Sequence, residues 1–324
     1  VILGDGAWGT ALGLVLHDNG HSVTIWGPFP EQIESIRSSR ENREFLPGVA
    51  IPEAVSWTSD RKAAGDADAI VFAVPTRFAA GVLSSFRGVV RSGADVVSVS
   101  KGLDAATHSR MTQIIEAEWG IRAAVALSGP SHAEEVARRV PTAVTVACAD
   151  ASRAVSVQRL FANSSFRVYT SCDVTGVELG GVLKNVIAVA VGVCDGLGFG
   201  SNTRAALMTR GLAEIARLGC AMGAQPATFA GLSGMGDLIV TCTSRLSRNW
   251  KVGERIGRGE PVESVLGSTR QAIEGAWNCT AALALAGERG VEMPVTAEVD
   301  AVLHRGKAPL DAVRSLMMRD VRPE

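Results

Sequence analysis

The sequence predicts a doubly wound, parallel α/β domain followed by an all-helical one, on three observations. Short apolar runs alternate with amphipathic stretches through the first half, a glycine-rich loop stands at the first alternation, and strand-like runs cease near residue 172. The strand candidates are residues 1–3, 22–26, 69–74, 95–100, 123–128 and 142–147. They are nearly continuous in apolar residues, as parallel strands covered on both faces require. Segments 10–19 and 109–119 carry the helical period. From Val174 the pattern is helical over 174–197, 205–222, 249–257, 280–290 and 296–304, punctuated by Gly198-Phe199-Gly200 and Pro226. A chain of 324 residues is long for one core, and the division falls as residues 1–172 and 173–324.

Bulk properties exclude several classes of function. The net charge of -1 gives no reason for nucleic acid or an acidic membrane surface to be the main partner. Any anion must therefore be held by a local site. The six cysteines have no paired spacing and several sit in apolar stretches, which fits reduced core thiols and neither a disulfide framework nor a metal site. The chain opens within a strand, so a few residues are expected to precede it, and no secretory signal is expected. The most membrane-like run, 186–194, is bounded by Lys184 and Asp195 and is too short to span, so it reads as a buried helix.

Gly4-Asp5-Gly6-Ala7-Trp8-Gly9 follows a strand and opens a helix, the context that a dinucleotide-binding loop requires. Gly4 permits the tight turn, Gly6 lets the backbone approach a pyrophosphate, and Gly9 allows close packing of helix on strand. The helix N-terminus offers N–H groups to the anion. This makes the first domain Rossmann-like. Asp5 is awkward there, because its carboxylate repels phosphate unless it points away. An acid that holds the ribose 2′-OH is expected at the end of the second strand. That strand ends Ile25-Trp26-Gly27-Pro28-Phe29-Pro30, and Glu31 belongs to the next helix. The missing acid tolerates a 2′-phosphate, although no arginine stands by to bind one. The cofactor is thus NADP or NAD, with a lean to NADP and dual use open.

Four further motifs carry chemistry. Ser100-Lys101-Gly102 and Ser128-Gly129-Pro130-Ser131 each follow a strand, at the functional edge of such a sheet. Gly180-Gly181-Val182-Leu183-Lys184-Asn185 lies on the apolar helix that opens the second domain, and Gly236-Asp237-Leu238 with Thr241-Cys242 precedes Ser247-Arg248-Asn249. Lys184 is the single cation between Val174 and Leu197. A lysine stripped of water there exchanges its proton near neutrality, or else it snorkels to the surface or pairs structurally. Asp195 is eleven residues on, roughly 16 Å along a helix, which is too far to pair, so Asp237 is the better partner. Ser247 caps a helix start where N–H groups and Arg248 suit a phosphate; an ordinary capped surface helix is the alternative. Gly180-Gly181 equally suits a helix-packing contact.

Together these motifs resemble the bacterial NAD(P)-dependent glycerol-3-phosphate dehydrogenases essentially end to end. The likeness extends to Ser201-Asn202-Thr203-Arg204, Thr209-Arg210-Gly211 and Ile273-Glu274-Gly275. The resemblance implies that Lys184 exchanges the proton of the C2 hydroxyl, that Asp237 orients its amine, and that Lys101 acts beside it as a like charge. It implies substrate contacts at Lys101, Gly129, Ser131, Lys184, Asp237, Ser247, Arg248 and Asn249. The implied cofactor contacts are Gly4, Gly6, Ala7, Trp8, Gly9, Pro28, Lys101, Ala133, Arg248, Ile273 and Glu274, with no metal. Pro28 and His132 depart from the family's pattern. The resemblance further implies a cytoplasmic homodimer that feeds glycerophospholipid synthesis. A β-hydroxyacid dehydrogenase of related architecture is the enzyme alternative, although such enzymes set Lys and Asn one helical turn apart and here they are adjacent. A dinucleotide-binding redox sensor is the non-catalytic one.

Overall fold

In the computed structural model, which describes residues 1–269 and 272–320, the first half builds eight strands. They are β1 (Ile2–Leu3), β2 (Thr24–Trp26), β3 (Ser56–Thr58), β4 (Ala69–Phe72), β5 (Asp95–Ser98), β6 (Val125–Ser128), β7 (Thr142–Ala147) and β8 (Phe166–Ser171). All form one sheet in the order β3-β2-β1-β4-β5-β6-β7-β8. Neighbours run parallel except β6 and β7, which are antiparallel. The strand order reverses between β1 and β4, so the crevice beyond their carboxyl ends is where a ligand binds in such sheets.

Adjacent residues on these strands feed two separate cores, which explains why the strands are apolar throughout. Ile2, Ile25, Val71, Val97 and Val125 face one layer, with Leu12 and Val15 of helix Ala7–Asp18 and Phe161 of helix Ala151–Phe161. Leu3, Trp26, Ile70, Phe72 and Val96 face the other, with Leu83 of helix Thr76–Ser85 and Ile115 of helix Met111–Trp119. Phe72 is fully buried and meets Trp119 edge-on at 6.3 Å between ring centroids. Phe72→Ala is therefore expected to cost about 3–5 kcal/mol, read as a lower urea midpoint at unchanged slope.

Two strands lie outside the sequence expectation. β3 is three residues long with one buried side chain, Trp57, too short for a period to show. β8 alternates, with Phe166 and Val168 buried and Arg167 and Tyr169 exposed, because it is an edge strand with one wet face. The antiparallel β7 also departs from the parallel expectation. Its connection from β6 holds only the short helix Ala133–Ala137, and the chain returns alongside β6 in the opposite sense.

The chain forms two compact units, one of Val1–Asp104 with Ser109–Glu178, the other of Ala105–His108 with Leu179 onward. The second is helical, chiefly Val174–Gly196 (shared at its start with the first unit), Ser201–Ala221, Asp237–Thr243, Arg248–Gly257, Glu274–Glu288, Pro294–His304 and Pro309–Met317. Several begin earlier than the apolar period suggests. The polar motif Ser201-Asn202-Thr203-Arg204 is the first turn of a helix capped by Gly200. The apolar run 186–194 belongs to a 23-residue helix, Val174–Gly196, long and apolar enough to cross a membrane by length and composition alone. Its apolar window is wholly buried inside the fold, as in a core helix.

Candidate active site

The glycine loop leaves β1 at Gly4, whose φ of +122° is open to glycine alone, and an ideal Cβ there would lie 2.6 Å from the Ala73 carbonyl oxygen after β4. A Cβ on Gly9 would lie 2.1 Å from the Gly4 carbonyl oxygen, so the helix seats directly on the turn. Gly6 caps helix Ala7–Asp18 with no side chain over its N–H groups and no acid in the first turn, and a Cβ on Gly6 would meet nothing within 4 Å. That leaves an open cradle of backbone donors at the positive end of a helix. Trp8 Nε1 is buried without a hydrogen-bond acceptor. The loop thus fits a dinucleotide pyrophosphate. Asp5 turns aside, onto Gly27 at the end of β2.

The same unit carries the other strand-end motifs. Lys101, past β5, donates from Nζ to the Gly129 carbonyl at 3.2 Å, and Ser131 Oγ donates to that carbonyl at 2.8 Å. Gly129 has a φ of +143°, which lets the chain turn sharply after β6. Lys101, Gly129 and Ser131 are thereby brought together. Ala133 begins helix Ala133–Ala137 and is buried, with His132 at its N-cap, and Pro28 is exposed beyond β2.

In the helical unit, Lys184 and Asp237 meet. The lysine Nζ donates to Asp237 Oδ1, with both residues buried, Lys184 at 7% exposure and Asp237 at 0%. A π-helical turn, Leu232–Gly236, delivers Asp237 to the first turn of helix Asp237–Thr243, where the helix dipole favours a carboxylate. A Cβ on Gly180 would lie 2.3 Å from the Ser233 carbonyl oxygen, so Gly180 serves a close packing of this turn on the lysine helix. Asp195 is engaged elsewhere, accepting from Arg204 Nη2 at 3.0 Å and from Trp250 Nε1 at 2.7 Å. Cys242, beside the pair in sequence, is fully buried and burial pushes its thiol up to about 12, so it stays a protonated core residue.

Ser247 caps helix Arg248–Gly257 by accepting from Trp250 N at 3.2 Å. Arg248 is exposed at the first turn, whereas Asn249 is buried. Asn249 Nδ2 donates to Asn185 Oδ1 at 2.9 Å and its Oδ1 accepts from Gly275 N at 2.9 Å. The asparagine therefore ties the lysine helix and the start of helix Glu274–Glu288 to the arginine turn. Ile273 and Glu274 stand at that same helix start, Ile273 buried and Glu274 partly exposed. Asn185 is the site residue that the sequence reading leaves without a role. Its signal is that of Lys184, a polar side chain amid Val, Leu and Ile.

Among the described residues, Cys279, Asp300 and His304 place metal-ligand atoms within 4.8 Å of one another. Their hydrogen bonding is internal, with Asp300 accepting from Thr280 at 2.7 Å and pairing with Arg305 at 2.9 Å, and His304 Nε2 lying 2.7 Å from the Ala276 carbonyl. Burial and the nearby Asp300 raise the Cys279 thiol to about 12, which opposes the thiolate that a metal needs.

Residues 1–154 match the N-terminal model, and residues 173–314 the C-terminal model, of NAD-dependent glycerol-3-phosphate dehydrogenase. The chain belongs to that family. As a member it is an NAD(P)-dependent oxidoreductase, and the match to both models accounts for the two-part architecture. The glycerol-3-phosphate dehydrogenase (NAD(P)+) of Geobacillus kaustophilus is 51% identical over 327 residues, covering 100% of this chain and 95% of the relative. That of an Exiguobacterium species is 48% identical, covering 100% of this chain and 96% of the relative. The crystal structure of glycerol-3-phosphate dehydrogenase from Coxiella burnetii superposes with a TM-score of 0.95 at 36% identity, over 98% of each chain.

Proposed function

We propose that this dehydrogenase reversibly reduces dihydroxyacetone phosphate to sn-glycerol 3-phosphate with NAD(P)H, on the strength of the buried Lys184–Asp237 pair. Bound dinucleotide supplies the hydride to C2. The chain's own task is the proton. As the C2 carbonyl oxygen gains charge, Lys184 Nζ–H donates to it; in the reverse direction the amine accepts the hydroxyl proton. Asp237 orients the amine and balances its cationic form. Residues 1–172 take the dinucleotide, at Gly4, Gly6, Ala7, Trp8, Gly9, Pro28, Lys101 and Ala133, and residues 173–324 supply Arg248, Ile273 and Glu274 to it.

Arg248 and the capped turn at Ser247 hold the substrate phosphate, with Lys101, Gly129 and Ser131 as further contacts. Binding energy from the phosphate, remote from the reacting carbon, fixes that carbon in place. Asn249 contributes by holding the turn, since its amide is bonded to Asn185 and Gly275. A homodimer joined through the helical unit, working in the cytoplasm to feed glycerophospholipid synthesis, completes the proposal.

The β-hydroxyacid reading is disfavoured by the adjacent Lys184-Asn185 order and by Asn185 bonding to Asn249. A sensor gives no reason to bury a lysine and an aspartate together. Arg248→Ala is expected to lower kcat/KM for dihydroxyacetone phosphate by about 10- to 100-fold, mostly through KM, from loss of a charge-assisted contact. Unphosphorylated dihydroxyacetone should lose much less, only the share that Arg248 contributes through the dinucleotide. Equal losses on both substrates would remove Arg248 from the phosphate site.

A further inference from the structure

Asp5 stands between the first two glycines of the loop, and its side chain lies on Gly27, the residue that follows β2. An ideal Cβ on Gly27 would come within 2.5 Å of Asp5 Oδ2 and 2.7 Å of Asp5 Cγ. The carboxylate therefore fills the volume that a side chain at position 27 would take. In doubly wound dinucleotide-binding sheets, the acid that accepts from the adenosine ribose 2′-OH stands at this strand end. Here the strand end carries none, and Asp5 brings a carboxylate to the same place from the loop.

One of its two oxygens is also unsatisfied, although the carboxyl takes a hydrogen bond from its own backbone N–H. Asp5 Oδ2 is buried with no hydrogen-bond donor, although Asp5 as a residue is only half-buried. Burial, with a smaller contribution from the charge of Glu44, raises the carboxyl above its ordinary range. A carboxyl with one oxygen left without a donor has acceptor capacity to spare at the strand end.

The charge that acts on Asp5 from its surroundings has the wrong sign to hold a phosphate. Glu44 adds a second negative charge to the field at Asp5. The arginines of the following segment pair with acids at the surface, Arg37 with Glu34 at 3.4 Å and Arg43 with Glu41 at 3.2 Å. Arg40 donates to the carbonyls of Ile51 at 3.2 Å and Val55 at 3.1 Å. Pro28 and Phe29, both exposed beside Gly27, are uncharged, and Phe29 at 67% exposure presents an apolar face rather than a cation.

We infer that Asp5 accepts from the adenosine ribose 2′-hydroxyl and repels a 2′-phosphate, so that this chain prefers NAD(H) to NADP(H), with Gly27 kept bare to make room for it. The linear sequence leans the other way because the acid is absent where it is usually found. Asp5 and Gly27 are far apart along the chain and adjacent in space. The inference rests on dinucleotide binding by the glycine loop.

Dissociation constants for NADH and NADPH, measured by titration calorimetry on the full chain without substrate, test it. The unaltered protein is expected to bind NADH about tenfold or more tighter than NADPH, the scale of one hydrogen bond to a charged group. Asp5→Ala is expected to erase that ratio, weakening NADH and strengthening NADPH. Combining Asp5→Ala with Gly27→Asp returns the acid to the strand end and should restore the ratio. Asp5→Asn preserves shape, so a gain in NADPH affinity there reads the lost repulsion even where Asp5→Ala folds poorly. An unchanged ratio in well-folded Asp5→Ala, or tighter NADPH binding by the unaltered protein, overturns the assignment of Asp5. Failure of the unaltered protein to bind either dinucleotide overturns the loop reading itself, a different result.

Discussion

Replacing Lys184 by alanine is expected to lower kcat for dihydroxyacetone phosphate by about 10²- to 10⁴-fold, the range that a positioned acid–base group supplies. Dinucleotide affinity should stay nearly unchanged, because the glycine loop draws its geometry from Gly4, Gly9 and the end of β4. Lys184→Arg sharpens the test. Arginine keeps the cation but does not release its proton, so it should fail as alanine does if the proton is what matters. Near-normal turnover by the arginine variant would mean that Lys184 acts as a fixed charge. Near-normal turnover by alanine would remove it from the reaction.

Asp237→Ala is expected to strike both turnover and stability. It leaves the Lys184 ammonium at 7% exposure without its carboxylate, and an uncompensated buried charge costs about 3–5 kcal/mol. Urea denaturation should show that loss in the unfolding free energy. The double change Lys184→Met with Asp237→Leu removes both charges, so it should be more stable than Asp237→Ala while remaining inactive. If Asp237→Ala unfolds at the same urea concentration as the unaltered protein, the pair is not a buried ion pair.

Much of the architecture is legible in the linear sequence because it rests on local pattern. Strands that feed two cores at once, such as Ile2-Leu3 and Ile70-Val71-Phe72, have to be apolar at every position, and that leaves a visible signature. β8 has a signature of the opposite kind, alternation, which is missed when only continuous runs are sought. β3 has none, since a single buried Trp57 makes no pattern. Helix starts are obscured for a related reason: Ser201 to Arg204 are polar first-turn residues, and the apolar period begins only after them.

The site divides in the same way. Lys184 is legible because a lone cation in an apolar helix is anomalous, and Asp237 follows from the need to compensate it. The Asn185–Asn249–Gly275 chain is not legible, because its hydrogen bonds join residues 64 and 26 positions apart and the polar signal of Asn185 names no partner. Asp5 and Gly27 show the limit most clearly. At the level of sequence one is an awkward acid and the other an absent one, and only their contact makes them two halves of one feature.

Reduction of a phosphorylated triose ketone at C2, with a proton from Lys184, is the reaction proposed for this site. Its most direct test is oxidation of NADH and NADPH by the unaltered protein in the presence of dihydroxyacetone phosphate, with the product identified. One sn-glycerol 3-phosphate is expected per dinucleotide oxidised, with no comparable rate on β-keto acids. Absence of oxidation with dihydroxyacetone phosphate, or faster oxidation with a β-keto acid, would contradict it.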